Sequence, residues 1–220
     1  MEAIRLVNLN KVIKKHPILK DINLSLGKGK IYGFFGRNGS GKTMLFRAIS
    51  GLIKPTSGEV YVFGKKLGED ISFPESLGII IESVGFWPQF TGFENLKILA
   101  SIKSKISDEQ ITEAIKKVGL DPEDKRLYSK YSLGMKQRLG IAQAIMEEPE
   151  LIILDEPTSS LDEEGVQLVR RILIEEKKRG ATILIASHNK EDIDFLSDEK
   201  FKMDNGRLYH PQEEVNLNES

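Results

Sequence analysis

The sequence predicts an α/β fold, with strands and helices alternating around a parallel sheet, an antiparallel β lobe ahead of it and a helical lobe inserted within it. Three observations predict it. The apolar runs at 31–35, 77–81, 151–154 and 182–186 have the length of buried strands, and an amphipathic helical stretch at 163–179 separates the last two. Segments 2–9 and 22–26 instead alternate polar and apolar residues, the pattern of half-buried antiparallel strands. Between the runs at 77 and 151 the apolar spacing is helical, which places a helical insert at about 83–148.

In chain order, Ile4 and Leu6 alternate with Arg5, and Ile22, Leu24 and Leu26 with Asn23 and Ser25. Gly27-Lys28-Gly29 is a turn. The run 31–35 enters Gly36-Arg37-Asn38-Gly39-Ser40-Gly41-Lys42-Thr43, and helical spacing follows over 44–52. Gly51, Pro55 and Gly58 punctuate before a strand at 60–63, and 64–76 is polar and loop-like. The strand at 77–81 ends at Glu82. In the insert, 92–102 and 134–147 read as helices, the second stopped before Pro149. Between them Ser107-Asp108-Glu109-Gln110 is a capping box, and Ile111, Ile115 and Val118 mark one face of a helix closed by Gly119. Gly180 ends the helix at 163–179, and Asp204-Asn205-Gly206 joins two short strands as a hairpin. The stretch 211–220 reads as a polar tail.

Composition narrows the function. A formal net charge of −1 gives no basic footprint for nucleic acid or an anionic membrane surface. The absence of cysteine excludes disulfides, thiolate catalysis and Cys-ligated zinc. No apolar run approaches the roughly 18 residues of a membrane span, and Met1-Glu2-Ala3-Ile4-Arg5 has no apolar signal-peptide core.

The chemistry begins at Gly36, in the pattern G-x-x-x-x-G-K-T between a strand and a helix. The glycines let consecutive N–H groups turn inward on phosphate, and the helix N-terminus adds positive potential there. Lys42 should reach the β- and γ-phosphates, and the Thr43 hydroxyl should ligate Mg²⁺. The run at 151–154 ends in Asp155 and Glu156. Beside a phosphate loop these read as a Mg²⁺ carboxylate and a general base for water; without it, they would read as a solvated strand end. Ser132 and Gly134 open a helix whose free N–H groups can bind a second anion, though ordinary helix caps share that pattern. His188 follows a strand at the edge where open α/β sheets bind ligands, and a lone histidine there is otherwise structural.

Together these residues resemble the ATP-binding-cassette ATPases. Gly36–Thr43 is similar to that family's Walker A, 151–156 to its Walker B and catalytic glutamate, and Ser132-Leu133-Gly134-Met135-Lys136 to its signature. Ser160-Leu161-Asp162 resembles the D-loop and His188 the switch histidine. The resemblance implies a P-loop NTPase, RecA-like core with an antiparallel β lobe on 1–82 and 149–210, and an inserted α-helical lobe on about 83–148, all one domain over 1–210. It implies nucleotide binding by Gly36, Arg37, Asn38, Gly39, Ser40, Gly41, Lys42, Thr43 and Met44, and catalysis by Glu156 and His188. Metal binding falls to Thr43, Asp155 and Glu82. Ser132, Gly134 and Met135 would meet the ATP of a second subunit, with Asp162 in the D-loop.

Three departures from the family pattern stand out. The position of the adenine-stacking aromatic falls on Ile13, leaving Tyr32 and His16 as the rings that could replace it. The signature has Leu133 for a glycine and Lys136 for a glutamine. Glu82 stands where the family usually has glutamine, with Gln89 as its competitor. Ile81-Glu82-Ser83, then Phe86-Trp87-Pro88 and Thr91-Gly92-Phe93-Glu94-Asn95-Leu96, resemble cassettes of lantibiotic- and bacitracin-type exporters.

The resemblance therefore implies an ATPase using ATP and Mg²⁺ that powers a separate transmembrane permease and exports a peptide, drug or lipid-like compound. Its expected partners are a second ATPase subunit, as a homodimer, and the permease, with no nucleic acid. Its expected place is cytoplasmic, peripheral at the inner face of the cell membrane. Phe86, Trp87, Phe90 and Phe93 are expected either to pack the helical lobe or to line a groove for the permease. The alternative is a soluble cassette ATPase in cofactor assembly or a ribosome-linked process.

Overall fold

The computed structural model describes residues 1–82, 85–188 and 190–210. The expected tail at 211–220 and Ser83 of the exporter-like segment lie outside the described residues.

Strands β1 (Glu2–Ile13), β2 (His16–Gly27), β4 (Ser57–Val62) and β5 (Lys65–Lys66) form an antiparallel sheet in the order β2-β1-β4-β5. A second sheet runs β10-β9-β3-β8-β7-β6, from β3 (Ile31–Phe35), β6 (Leu77–Ile80), β7 (Leu151–Asp155), β8 (Thr182–Ser187), β9 (Glu199–Asp204) and β10 (Arg207–Tyr209). Its pairs from β9 to β6 are parallel, and β10 closes it as a hairpin. Helix α1 (Lys42–Ile49) follows β3; α2 (Gly92–Lys103), α3 (Asp108–Lys117) and α4 (Leu133–Ile145) stand between β6 and β7. Helix α5 (Glu163–Arg179) connects β7 to β8, and α6 (Lys190–Leu196) connects β8 to β9.

The period of two in the central strands divides the core. Ile31, Ile152, Leu154, Ile183 and Ile185 face one side, packing with the helical lobe and α5. Tyr32, Phe34, Leu151, Ile153 and Leu184 face the other, packing with α1 and the antiparallel lobe. Each such fully buried aliphatic side chain contributes roughly 1.5–3 kcal/mol. The helical insert is thereby continuous with one face of the sheet.

Several boundaries differ from the sequence reading. β1 and β2 run on to a two-residue turn at Lys14 and Lys15, both at positive φ (46° and 68°). Register shifts along β1, as between Leu6 and Leu9, break the alternation that marks a strand. Residues 64–76 contain β5, too short to show a period. β6 ends at Ile80, so Glu82 lies two residues past the strand, at φ 61°. α6, seven residues long, is too short to show a helical period in the sequence. The capping box Ser107–Gln110 is formed, and Thr91 and Glu94 form another at the start of α2.

In the segment before α2, the buried Asn95 amide accepts from Trp87 N at 2.8 Å and donates to Thr91 O at 2.9 Å. That bracing leaves Phe86 buried against Tyr128, ring centroids 5.2 Å apart, and Trp87 40% exposed. Phe90 and Phe93 are half-buried. A cavity of about 300 Å³ opens between Leu52, residues 79–81, Phe86 and Leu99.

Candidate functional site

The candidate site lies where β3, β7 and β8 end at one edge of the parallel sheet. β3 leads into the phosphate loop, and Gly41 at φ 111° caps α1, a conformation that a side chain strongly disfavours. A Cβ on Gly36 would lie 2.2 Å from Met203 O, so only glycine lets β9 pass so close. The β9–β10 turn supports the loop through Gly206 N, which donates to Ser40 O at 2.9 Å. Lys42 is 6% exposed, and its Nζ donates to Gly36 O at 2.8 Å. Among the described residues, Ser40 Oγ is buried with no hydrogen-bond partner, an orphan inside the loop that should hold phosphate.

Thr43 Oγ1 donates to Asp155 Oδ2 at 2.6 Å. Burial pushes the Asp155 carboxyl above the usual range; the Thr43 hydrogen bond opposes this, and the Glu156 charge adds to it. Glu156 follows at φ 53°, a left-handed conformation costing on the order of 1–3 kcal/mol in a residue with a side chain. Its N–H continues the sheet pairing to Ala186 O at 2.8 Å. Its carboxylate faces the end of β8, where His188 N donates to Oε1 at 3.0 Å and Nδ1 stands 2.7 Å from Oε2.

These groups border a cavity of about 610 Å³, lined by residues 38–44 of the phosphate loop, Glu82, Asp155 and Glu156. Glu82 also pairs with Arg47, NH2 to Oε2 at 3.0 Å, and its side chain is 59% exposed. The cavity has three further lining residues that sequence reasoning missed: Ile18, Gln137 and Ser159. Gln137 Nε2 donates to Pro157 O at 3.0 Å, tying α4 to the segment after Glu156. No local pattern marks Ile18 and Gln137, which arrive from β2 and α4, whereas Ser159 lies in the turn three residues after Glu156.

Ile13 stands apart from the cavity. It pairs with His16 across the Lys14–Lys15 turn and does not line the cavity; Ile18, five residues on, does. Tyr32 is fully buried, its hydroxyl donating to Gly27 O, so it cannot stack on a base. Gln89 is exposed and outside the cavity lining.

Ser132, Gly134 and Met135 also lie outside that lining. Ser132 Oγ caps α4 by accepting from Met135 N at 3.2 Å, and the adjacent Leu133 is 68% exposed. Lys136 leans over the Tyr128 ring at 5.2 Å from its centroid. Asp162 Oδ1 accepts from Gly165 N at 2.9 Å and so caps α5.

The residues present fit Mg²⁺. Thr43 Oγ1 and Asp155 Oδ2 are adjacent hard oxygens at the phosphate loop, the pair by which P-loop proteins hold the ion beside phosphate. Among the described residues no group of three or more His, Asp or Glu side chains could hold a metal alone, so phosphate and water oxygens would complete the shell.

A phosphate loop at a parallel-sheet edge, with a threonine–aspartate pair and an adjoining glutamate, defines a P-loop nucleoside triphosphatase. The family model for ABC transporters matches residues 19–159. The chain is 55% identical over 205 residues to an uncharacterized ABC transporter ATP-binding protein of Bacillus subtilis (strain 168), YybJ, covering 93% of this chain and 94% of that one. It is 44% identical to the bacitracin transport ATP-binding protein BcrA of Enterococcus faecalis, over 96% of this chain and 68% of that one. Its fold matches the dimeric post-hydrolysis structure of the ATP-binding cassette MJ0796 bound to ADP and Pi, with a TM-score of 0.83, 23% identity, and coverage of 94% and 98%. The chain belongs to the ABC transporter family, as an ATP-binding, ATP-hydrolysing subunit.

Proposed function

We propose that this subunit works as a head-to-tail dimer that drives a separate membrane-spanning permease, exporting a peptide-like compound from the inner face of the membrane. One observation carries the dimer: the cavity is lined by the phosphate loop, Asp155 and Glu156 but not by Ser132, Gly134 or Met135. The exposed start of α4 then serves the nucleotide of a second copy, with Asp162 beside that junction. The likeness to BcrA supports a peptide-like substrate. Among the described residues no helix is long and apolar enough to cross a membrane; the permease would supply the path. The apolar cavity beside Phe86, with Trp87 exposed nearby, is where the permease would seat.

In this reading the N–H groups from Gly36 to Met44 surround the phosphates, and Lys42 Nζ exchanges the Gly36 and Arg37 carbonyls for phosphate oxygens. Mg²⁺, held by Thr43 and Asp155 with Glu82 nearby, would neutralise charge developing on the phosphate oxygens. A Glu156 carboxylate oxygen takes a proton from the water that attacks the γ-phosphorus, as the bond to the ADP oxygen breaks. His188 orients that carboxylate through Nδ1 and its own N–H.

Reconstitution in membrane vesicles with candidate multi-span membrane proteins tests the proposal. ATP turnover should rise on addition of the permease and rise again with a peptide cargo. Turnover indifferent to every such membrane protein contradicts the transport reading.

A further inference from the structure

Glu156 holds a strained backbone conformation, so its surroundings must hold it there. Three ties do so. Glu156 N donates to Ala186 O at 2.8 Å from β8, and Gln137 Nε2 donates to Pro157 O at 3.0 Å from α4. The third is a buried ionic network outside the cavity lining. Thr158, two residues after Glu156 and 7% exposed, donates its hydroxyl to Asp192 Oδ2 at 2.6 Å. Asp192 lies in α6, four residues after His188, and is 3% exposed. Its other oxygen, Oδ1, accepts from Arg170 of α5, Nε at 3.0 Å and NH2 at 2.5 Å. The Arg170 guanidinium in turn lies over the Phe195 ring, 4.8 Å from its centroid.

A buried carboxylate is costly unless its oxygens are fully used, and here one oxygen holds the segment after Glu156 while the other holds α5. α6 is the helix into which the His188 segment runs, and it is pinned to β3 by the buried Ile193. The network therefore ties the segment carrying the glutamate to the helix following the histidine. A hydrophobic residue in place of Asp192 could fill the space, but it could not set the distance between those two segments.

We propose that Asp192 is a positioning residue for hydrolysis: through Thr158 and Arg170 it fixes the spacing of Glu156 and His188, and so the direction of the Glu156 carboxylate. This rests on the reading of Glu156 as the general base.

Steady-state ATPase of the full chain tests it, with nucleotide binding and thermal unfolding measured on the same samples. Thr158→Val removes the hydroxyl at nearly constant shape, and it should lower kcat by about tenfold to a hundredfold while KM for ATP stays within about threefold. Thr158→Ser should restore most of the rate. Asp192→Asn keeps an oxygen for Thr158 but loses the charge facing Arg170, and should fall between them. A Thr158→Val rate equal to wild type overturns the inference, whatever Asp192→Asn does. So does a loss of kcat in Thr158→Val that Thr158→Ser fails to recover, or one that follows only the loss of folded protein. Glu156→Gln is run beside them. If it turns over at the wild-type rate, the general-base reading falls first and this inference with it. If it is inactive while Thr158→Val is normal, the inference alone fails.

Discussion

Nδ1 of His188 stands 2.7 Å from Oε2 of Glu156, while the backbone N–H of the same histidine donates to Oε1 at 3.0 Å. One residue thus grips both oxygens of the candidate base. The backbone bond survives any substitution except proline; the imidazole contact does not. His188→Ala should therefore lower kcat by roughly tenfold to a thousandfold, less than loss of the base itself, and leave ATP affinity nearly unchanged. Pre-steady-state binding and turnover on the same variant check this.

Asp155 carries a pH signature. Burial raises its folded pKa above the unfolded value of 3.8. The folded state then binds more protons than the unfolded one, so this group's contribution is favourable below the unfolded pKa. It is lost as pH rises through the folded pKa, leaving a net penalty at neutral pH. Asp155→Asn keeps an oxygen for Thr43 and removes the charge. The nucleotide-free variant should melt at a higher temperature than wild type at pH 7, and the difference should vanish below about pH 4. The same variant should lose Mg²⁺-dependent ATP binding. Thermal melts across pH, with and without Mg-ATP, check both.

Base recognition should be shallow. Ile18 offers the cavity an apolar edge, Ile13 lies outside its lining, and Tyr32 is buried. ATP and GTP should bind within about tenfold of each other, which is about 1.4 kcal/mol. Ile18→Ala should weaken both by a similar factor. Competition binding that shows strong ATP selectivity would point to stacking by His16 from the hairpin tip.

Glu82 has two claims on it. It lines the cavity with Thr43 and Asp155, and it pairs with Arg47 at 3.0 Å. Metal-free, its charge repels phosphate; next to Mg²⁺ it offers a hard oxygen. Glu82→Gln should flatten the Mg²⁺ dependence of ATP binding, and Arg47→Ala should steepen it by freeing the carboxylate. Gln89→Ala should leave it unchanged. Mg²⁺ titrations at fixed ATP distinguish these outcomes.

The parts of the molecule legible in the sequence are those whose signal is local. The phosphate loop is one continuous stretch from Gly36 to Thr43, and the capping box at Ser107 spans four residues. The strand from Leu151 to Asp155 is buried at every position and reads as an apolar run. What escaped depends on distant elements meeting. Ile18 reaches the cavity from β2, Gln137 from α4, and Arg47 meets Glu82 from α1. Thr158 and Asp192 are 34 residues apart and meet only because α6 packs back on the sheet. The full length of the β1–β2 hairpin is not legible, because its bulges scramble the alternation and its turn puts two lysines where glycine or asparagine is the usual signal.

Glu156 is the proposed base in a site completed by a second copy. Glu156→Gln, incubated with Mg-ATP and resolved by size-exclusion chromatography with turnover measured in parallel, tests it most directly. The expected outcome is a stable dimer with ATP retained and turnover lowered about a hundredfold to ten-thousandfold. A variant that elutes as a monomer and hydrolyses ATP at the wild-type rate would contradict it.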